Sequence, residues 1–298
     1  MSGFAQIDLS KLPIPDVIES INFEAILQEV LDDYYERNPD HTALLESDPA
    51  YKLAEVAAYR EVLLRQRINE AAWAVMVAGA KGNDLDNLAA LVPVQRLLLD
   101  AGDPDANPPV PPTYESDDDF RSRIQLAPEG FSVAGPKGAY IFHTLSVPGV
   151  KGAYVHSPAP VEVDVYVLAK VENDNKGIPD ATLLQAVEKS LMDDEVRPFT
   201  DLVRVNSAVV KEYAIVATLH MLPGPSKESA KLEAQKRIEE YVAERHALGA
   251  GVPLSGIHAA LHVAGVDKVT IIEPAANVVC AGEEAAWCTS ITLEAANV

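Results

Sequence analysis

Cysteine is nearly absent from this chain. Only Cys280 and Cys288 occur, both near the end of the sequence. Two such residues make no disulfide framework, and the pattern suits a reducing compartment. CxxC and CxxxH spacings are missing, so a structural zinc site has no support. No run reaches about 18 apolar residues, the length a membrane-spanning helix needs. The opening MSGFAQIDLSKLPIPD lacks the basic stretch and apolar core of a secretory signal. Basic residues are scarce as well: 24 Lys and Arg stand against 45 Asp and Glu, a net charge of −21. That balance argues against direct nucleic-acid binding, which depends on Lys and Arg neutralising phosphates. It argues equally against an anionic membrane surface, and fits a soluble protein that meets basic partners or is simply well solvated. Aromatics are only 6% of the residues, so the cores must be built from Ala, Val and Leu.

Catalytic patterns are also missing. The sequence holds no GxSxG, GxGxxG or P-loop run. The GPKG at Gly135–Gly138 is too short to cradle a phosphate and reads as a helix-start turn. Acids are plentiful but scattered. His258 and His262 stand four residues apart in the run HAALH, a spacing that can chelate a metal, with Asp267 or Glu273 as a conceivable third ligand. The acid of an HExxH motif is not there, and Ile257 and Leu261 beside them favour half-buried helix histidines. A cytosolic metal-dependent enzyme using His258 and His262 therefore stands as the alternative function. No catalytic, cofactor-binding or metal residue is nominated, and no cofactor is expected.

What the sequence does have is length and pattern. Its 298 residues suffice for two or three domains. Residues 1–20 read as an extended arm, with Pro13 and Pro15 opposing helix. Asn22–Arg37 is an amphipathic helix with Phe23, Ile26, Leu27, Val30, Leu31 and Tyr34 on one face. A short helix is expected over His41–Glu46. Ser47 or Asp48, followed by Pro49, then starts a long helix.

That long helix carries two apolar stripes at 100° per residue. One holds Leu53, Val56, Ala57, Leu63, Leu64, Ile68, Ala71 and Val75. The other, almost opposite, holds Tyr59, Val62, Trp73 and Val77. A helix lying on its own domain needs the first only, so the second is read as a surface for other chains. Arg60 and Arg67 fall inside the first stripe. They either pair with Asp84 and Asp86 or snorkel to the edge of the contact. Gly79 and Gly82 are expected to end the helix, and Asn83 or Asp84 to cap the next one. GNDLD resembles a calcium loop, but the spacing and the closing Glu are missing.

Asp100–Asp119 contains five prolines and seven acids and reads as a semi-rigid spacer. Beyond it the pattern alternates between helix and strand. A helix from Asp118 should stop before Pro128. Strands are expected at Val161–Val171, from Asp201 to Ala208, at Lys211–Leu222, within Ala264–Pro274 and at Thr289–Glu294. Helices are expected from near Gly135-Pro136, at Pro179–Asp194, from Ser226 to about Ala247 and at Leu254–Val263. Pro223-Gly224-Pro225 reads as a turn. VAGPKGAYIFHTLSVPGVKGAYVHSP and VPLSGIHAALHVAGVDKVTIIEP share a grammar of helix, Gly-Val and strand ended by proline. The fold class is α+β: an N-terminal helical bundle segment joined by a Pro-rich linker to two related α+β units. The expected domains are 1–99, a linker at 100–119, 120–209 and 210–298.

The run AYREVLLRQRINEAAWAVMVAGAKGNDLDNLAALV, preceded by ESDPAYKL, resembles the J-type baseplate wedge proteins of contractile-tailed phages and phage-tail-like bacteriocins. The resemblance continues in order through RSRIQLAPEGFSVAGPKGAYIFHTLSVPGVKGAYVHSP and DEVRPFTDLV to GVDKVTIIEP. It implies a structural subunit of the baseplate in a virion or phage-tail-like particle, assembled in the bacterial cytoplasm. It further implies two copies joined with one copy of a second wedge protein through a shared helical bundle. The C-terminal part would link wedges into a ring around the central hub, one that dilates to trigger sheath contraction. Expected partners are the chain itself, the second wedge protein and the hub and sheath-initiating proteins, with no nucleic acid and no membrane. Candidate intersubunit residues are Phe23, Leu27, Val30, Tyr34, Tyr59, Val62, Trp73 and Val77.

Overall fold

A computed structural model describes residues 7–41, 44–132, 135–171, 175–193, 196–198, 200–222 and 227–297. The fold is α+β, and the chain separates into two compact units. The first comprises Met1–Arg96 and Glu115–Gln125; the second comprises Leu97–Tyr114 and Leu126–Val298.

In the first unit, α1 (Phe23–Arg37) starts at Asn22, whose side chain accepts from the N–H groups of Glu24 at 2.9 Å and Ala25 at 3.3 Å. The next helix, α2, spans Pro49–Ala74. Asp48 occupies its cap position but accepts instead from the Leu45 N–H at 2.8 Å, so α2 has no side-chain cap. The described residues of the expected His41–Glu46 helix are turn and irregular chain; Thr42 and Ala43 lie outside the described residues. Ile26, Leu27 and Leu31 of α1 pack against Ala54 and Ala58 of α2, with Tyr51 and Val62 at the margin. Two alanines one turn apart let the helix axes come close. Beyond them Arg65 reaches Glu29 at 3.3 Å and Glu19 at 3.6 Å. Asn69 exchanges two hydrogen bonds with the Glu19 backbone.

α2 stops at Ala74, five residues before Gly79. The chain then turns on hydrogen bonds from Met76 N–H to Trp73 and from Gly79 N–H to Met76. The Trp73 ring lies directly on Gly79: a Cβ there would stand 2.2 Å from ring carbon Cε3. α3 (Asn83–Ala89) is preceded by Gly82, not capped by Asn83 or Asp84.

The Pro-rich segment is not a simple spacer. Leu97–Tyr114 folds as a hairpin of β1 (Leu98–Asp100) and β2 (Thr113–Tyr114), extended by a bridge between Asp103 and Val110. The acidic end of the same segment then opens α4 (Asp117–Gly130), which runs through Pro128 where a stop was expected.

The second unit contains two three-stranded sheets. One follows α5 (Lys137–Leu145) and has the order β3 (Val150–His156), β4 (Glu162–Ala169), β5 (Leu202–Ser207). β3 is antiparallel to β4, and β5 is parallel to it, reached across α6 (Ala181–Leu191). Val163, Val165 and Val167 alternate into a core with Tyr140, Val187 and Leu191. The other sheet centres on β6 (Val209–Met221), with β7 (Val266–Glu273) antiparallel and β8 (Glu284–Asn297) parallel. β8 is much longer than the expected Thr289–Glu294. Helices α7 (Lys227–Arg245) and α8 (Leu254–Leu261) supply Ile238, Ile257 and Leu261 to the core under Ile215, Leu219 and Met221. The Ser226 cap and the Pro223-Gly224-Pro225 turn lie outside the described residues.

The two α+β parts are related in space as well as in grammar. Each sheet has a central strand followed by a helix, a parallel neighbour, and an antiparallel edge strand preceded by a short helix. The edge strands β3 and β7 both begin with a buried valine after a glycine of positive φ: Gly149 at 92° before Val150, and Gly265 at 94° before Val266. Only glycine takes that conformation without strain. The helix–strand pair stands before the central strand in the first part and after it in the second. β5 and β6 are separated by Ala208 alone, so consecutive strands serve the two sheets. Leu168, Ala208 and Ala285, with Leu248 against them, fill the joint.

Candidate functional site

The surface that this fold leaves uncovered is the outward face of α2. α1 packs on Ala54, Ala58 and Val62, a side roughly 140° round the helix from the large aliphatic stripe. Leu53, Leu64 and Ile68 of that stripe are 70%, 66% and 59% exposed, and Val56, Leu63 and Val75 are exposed beside them. This reverses the expectation from sequence, in which the Leu53 stripe lay on its own domain. The physical reason is size: alanines admit a neighbouring helix more closely than leucines do. Arg60 and Arg67 share the outward face and are exposed, and neither forms an ion pair among the described residues. Asp86, offered as a partner, holds Arg96 at 2.9 Å instead.

The eight residues nominated for intersubunit contact fall in different places. Leu27 is buried in the α1–α2 core, with Phe23, Val30 and Val62 packed against it. Tyr34 is half-buried, stacks on His41 and hydrogen-bonds its Nδ1 at 3.0 Å. Trp73 and Val77 are half-buried, Trp73 by its turn. Tyr59 is exposed. Leu27 and Val62 thus serve this chain's own helix pair.

A polar cluster that the sequence did not disclose fastens the start of α4 within the first unit. Arg123 and Glu115 are 6% and 3% exposed and form an ion pair, with the Arg123 fork also donating to the Gln95 carbonyl at 3.2 and 3.3 Å. Burial holds the Arg123 guanidinium below its ordinary value, and Glu115 pulls it the other way. Arg121 donates to the carbonyls of Val77 at 2.7 Å and Ala80 at 2.8 Å. Arg96 lies 4.8 Å over the Phe120 ring and bridges Asp86 and Asp117. Burial opposes charge on Arg96, but the two carboxylates outweigh it and leave its pKa raised. The signal was present as Glu115 and Arg123 eight residues apart, but the proline run before them favoured a solvated reading.

His258 is exposed, not half-buried, and His262 is exposed at the cap position where α8 ends. Among the described residues no group of three or more His, Cys, Asp and Glu could hold a metal ion. Cys280 and Cys288 are free thiols, and burial raises the pKa of both. The buried histidine is one the sequence reading passed over. His246 is 3% exposed; its Nδ1 lies 2.8 Å from the Ala286 carbonyl, and Trp287 meets its ring edge-on. Its Nε2 has no hydrogen-bond partner among the described residues. Burial holds its pKa below the ordinary value, Lys151 adds to that, and the Ala286 carbonyl opposes it. Its spacing of four from Val242 and eight from Ile238 put it in line with the inner face of α7, one residue beyond the end of that helix. A cleft of about 550 Å³ opens beside it, lined by Lys151, Glu239, Val242, Trp287 and Ile291 among others.

Three family models match in succession: the Baseplate J-like N-terminal domain at residues 46–103, the Baseplate J-like central domain at 132–207, and the Baseplate J-like protein C-terminal domain at 213–294. The chain is also similar to Baseplate protein J of Escherichia phage P2, at 44% identity over 291 residues and 95% of each protein.

Proposed function

The chain belongs to the baseplate J-like family, structural components of the phage baseplate, and from that premise we propose that it is a wedge subunit of a contractile tail or phage-tail-like particle. In this reading it does no chemistry. Its first unit joins a helical bundle with other chains: further copies of itself and a second wedge protein. Its second unit, whose two sheets are joined by the consecutive strands β5 and β6, would link neighbouring wedges into a ring around the hub. Loosening of that ring would release the sheath. The virion or particle is the place of action, with assembly in the host cytoplasm.

One observation carries the reading: the aliphatic stripe on α2 from Leu53 to Val75 has no cover from the α1–α2 pairing. Contiguous exposed apolar surface of this kind marks an interaction site. The test is co-purification with the second wedge protein after co-expression. The Leu64→Glu, Ile68→Glu double variant should lose the partner while keeping the wild-type circular dichroism and melting temperature, because neither residue supports the chain's own core. Undiminished co-purification would remove this face from the interface.

A further inference from the structure

We propose that the outward face of α2 receives a helix of a different polypeptide, one that carries two carboxylates seven residues apart within its own aliphatic stripe. The proposal rests on the reading of this face as an assembly surface and specifies what covers it. The stripe runs Leu53, Val56, Ala57, Arg60, Leu63, Leu64, Arg67, Ile68, Ala71, Val75. It contains two cations and no acid, in a chain of net charge −21. Arg65, Arg96, Arg121 and Arg123 of the same unit each hold a carboxylate. Arg60 and Arg67 hold none among the described residues.

Covering the stripe removes both guanidinium groups from water, and an unpaired buried charge is strongly unfavourable. A symmetric pair of α2 helices does not by itself relieve this. Parallel two-fold pairing sets Arg60 against Arg60 and Arg67 against Arg67. Antiparallel pairing centred between Leu63 and Leu64 sets Arg60 against Arg67. The nearest acids on α2 lie off the stripe and are engaged: Glu61 with Arg65 at 2.5 Å, and Glu70 with Gln66 at 3.1 Å. The occupant must therefore bring its own carboxylates. Seven residues are two helical turns, roughly 10 Å, so a helix lying alongside matches both arginines with acids at the same spacing. The planar fork of arginine suits such a pairing better than an ammonium would.

The experiment uses the full chain and three synthetic helical peptides. All share one aliphatic stripe and differ only in having Glu, Gln or Lys at two positions seven apart. Binding is read by fluorescence anisotropy at low and high salt. The Glu peptide should bind about tenfold or more tighter than the Gln peptide, with the advantage shrinking in salt. The Arg60→Glu, Arg67→Glu double variant should reverse the order and prefer the Lys peptide. Equal binding of the Glu and Gln peptides would overturn the pairing while leaving the face an interface whose arginines merely snorkel. A dimer in ultracentrifugation that Leu64→Glu abolishes would overturn the choice of a different polypeptide. If no peptide binds and the chain stays monomeric, the reading of the face itself falls.

Discussion

Removing the Glu115 carboxylate should loosen the first unit far more than removing the whole ion pair. Glu115 and Arg123 are almost fully buried, so Glu115→Ala leaves a guanidinium in the interior whose remaining acceptor among the described residues is the Gln95 carbonyl. Its Nε already has no hydrogen-bond partner among the described residues. Breaking a buried pair from one side typically costs about 3–5 kcal/mol, a large part of the roughly 5–15 kcal/mol that holds a domain together. Glu115→Gln keeps an acceptor oxygen and loses the charge, and should cost about 1–3 kcal/mol. The Glu115→Met, Arg123→Met double variant removes both charges and keeps apolar volume beside Phe120, and should fall within about 1–2 kcal/mol of wild type. Urea unfolding of the full chain gives the order, and hydrogen exchange localises the loss to residues 76–96 and 115–125. A Glu115→Ala variant as stable as wild type would show that the pair does not fasten α4. So would a double variant less stable than either single one.

Two other outcomes test the local packing and the buried histidine. Gly79→Ala puts a methyl into the Trp73 ring and should cost about 1–3 kcal/mol in a thermal melt; in a Trp73→Ala background the same change should cost markedly less, and equal costs would refute the contact. His246 is held neutral by burial, with a folded pKa below its ordinary value of about 6.5. The unfolded chain therefore takes up a proton that the folded chain refuses, and this contribution is intact above about pH 6.5. It is lost as pH falls from there toward the folded value, at up to about 1.4 kcal/mol per pH unit. His143 is lowered in the same direction, by burial first. His246→Gln with His143→Gln should flatten the decline in melting temperature between pH 7 and pH 5, and an unchanged slope would show that neither group is its source.

The sequence carried most of the elements and misjudged which faces meet. Helical periodicity located α1 and α2 within a few residues, and alternation located β4 and β6. The Gly-Val junctions at 149–150 and 265–266 were legible because a turn of positive φ requires glycine. The face that α1 would choose was not legible. Apolar periodicity weights bulk, and so favoured Leu53, Leu64 and Ile68, whereas close helix packing selected Ala54 and Ala58. Composition made Asp100–Asp119 a spacer, because its five prolines and seven acids mask any strand alternation that would signal the pairing of Leu98 with Tyr114 and of Asp103 with Val110. The same composition hid Glu115, whose burial depends on Arg123 and Gln95. Tyr59, Val62, Trp73 and Val77 were grouped by angle alone; Val62 entered the core and Trp73 closed a turn.

The central claim is that the outward face of α2 holds this chain in the baseplate. It is tested most directly by electron microscopy of tails made in cells lacking the natural gene product and supplied with the Leu64→Glu, Ile68→Glu chain. The account predicts tails without baseplates, although the purified variant is folded and melts like wild type. Baseplates of normal number and shape would contradict it.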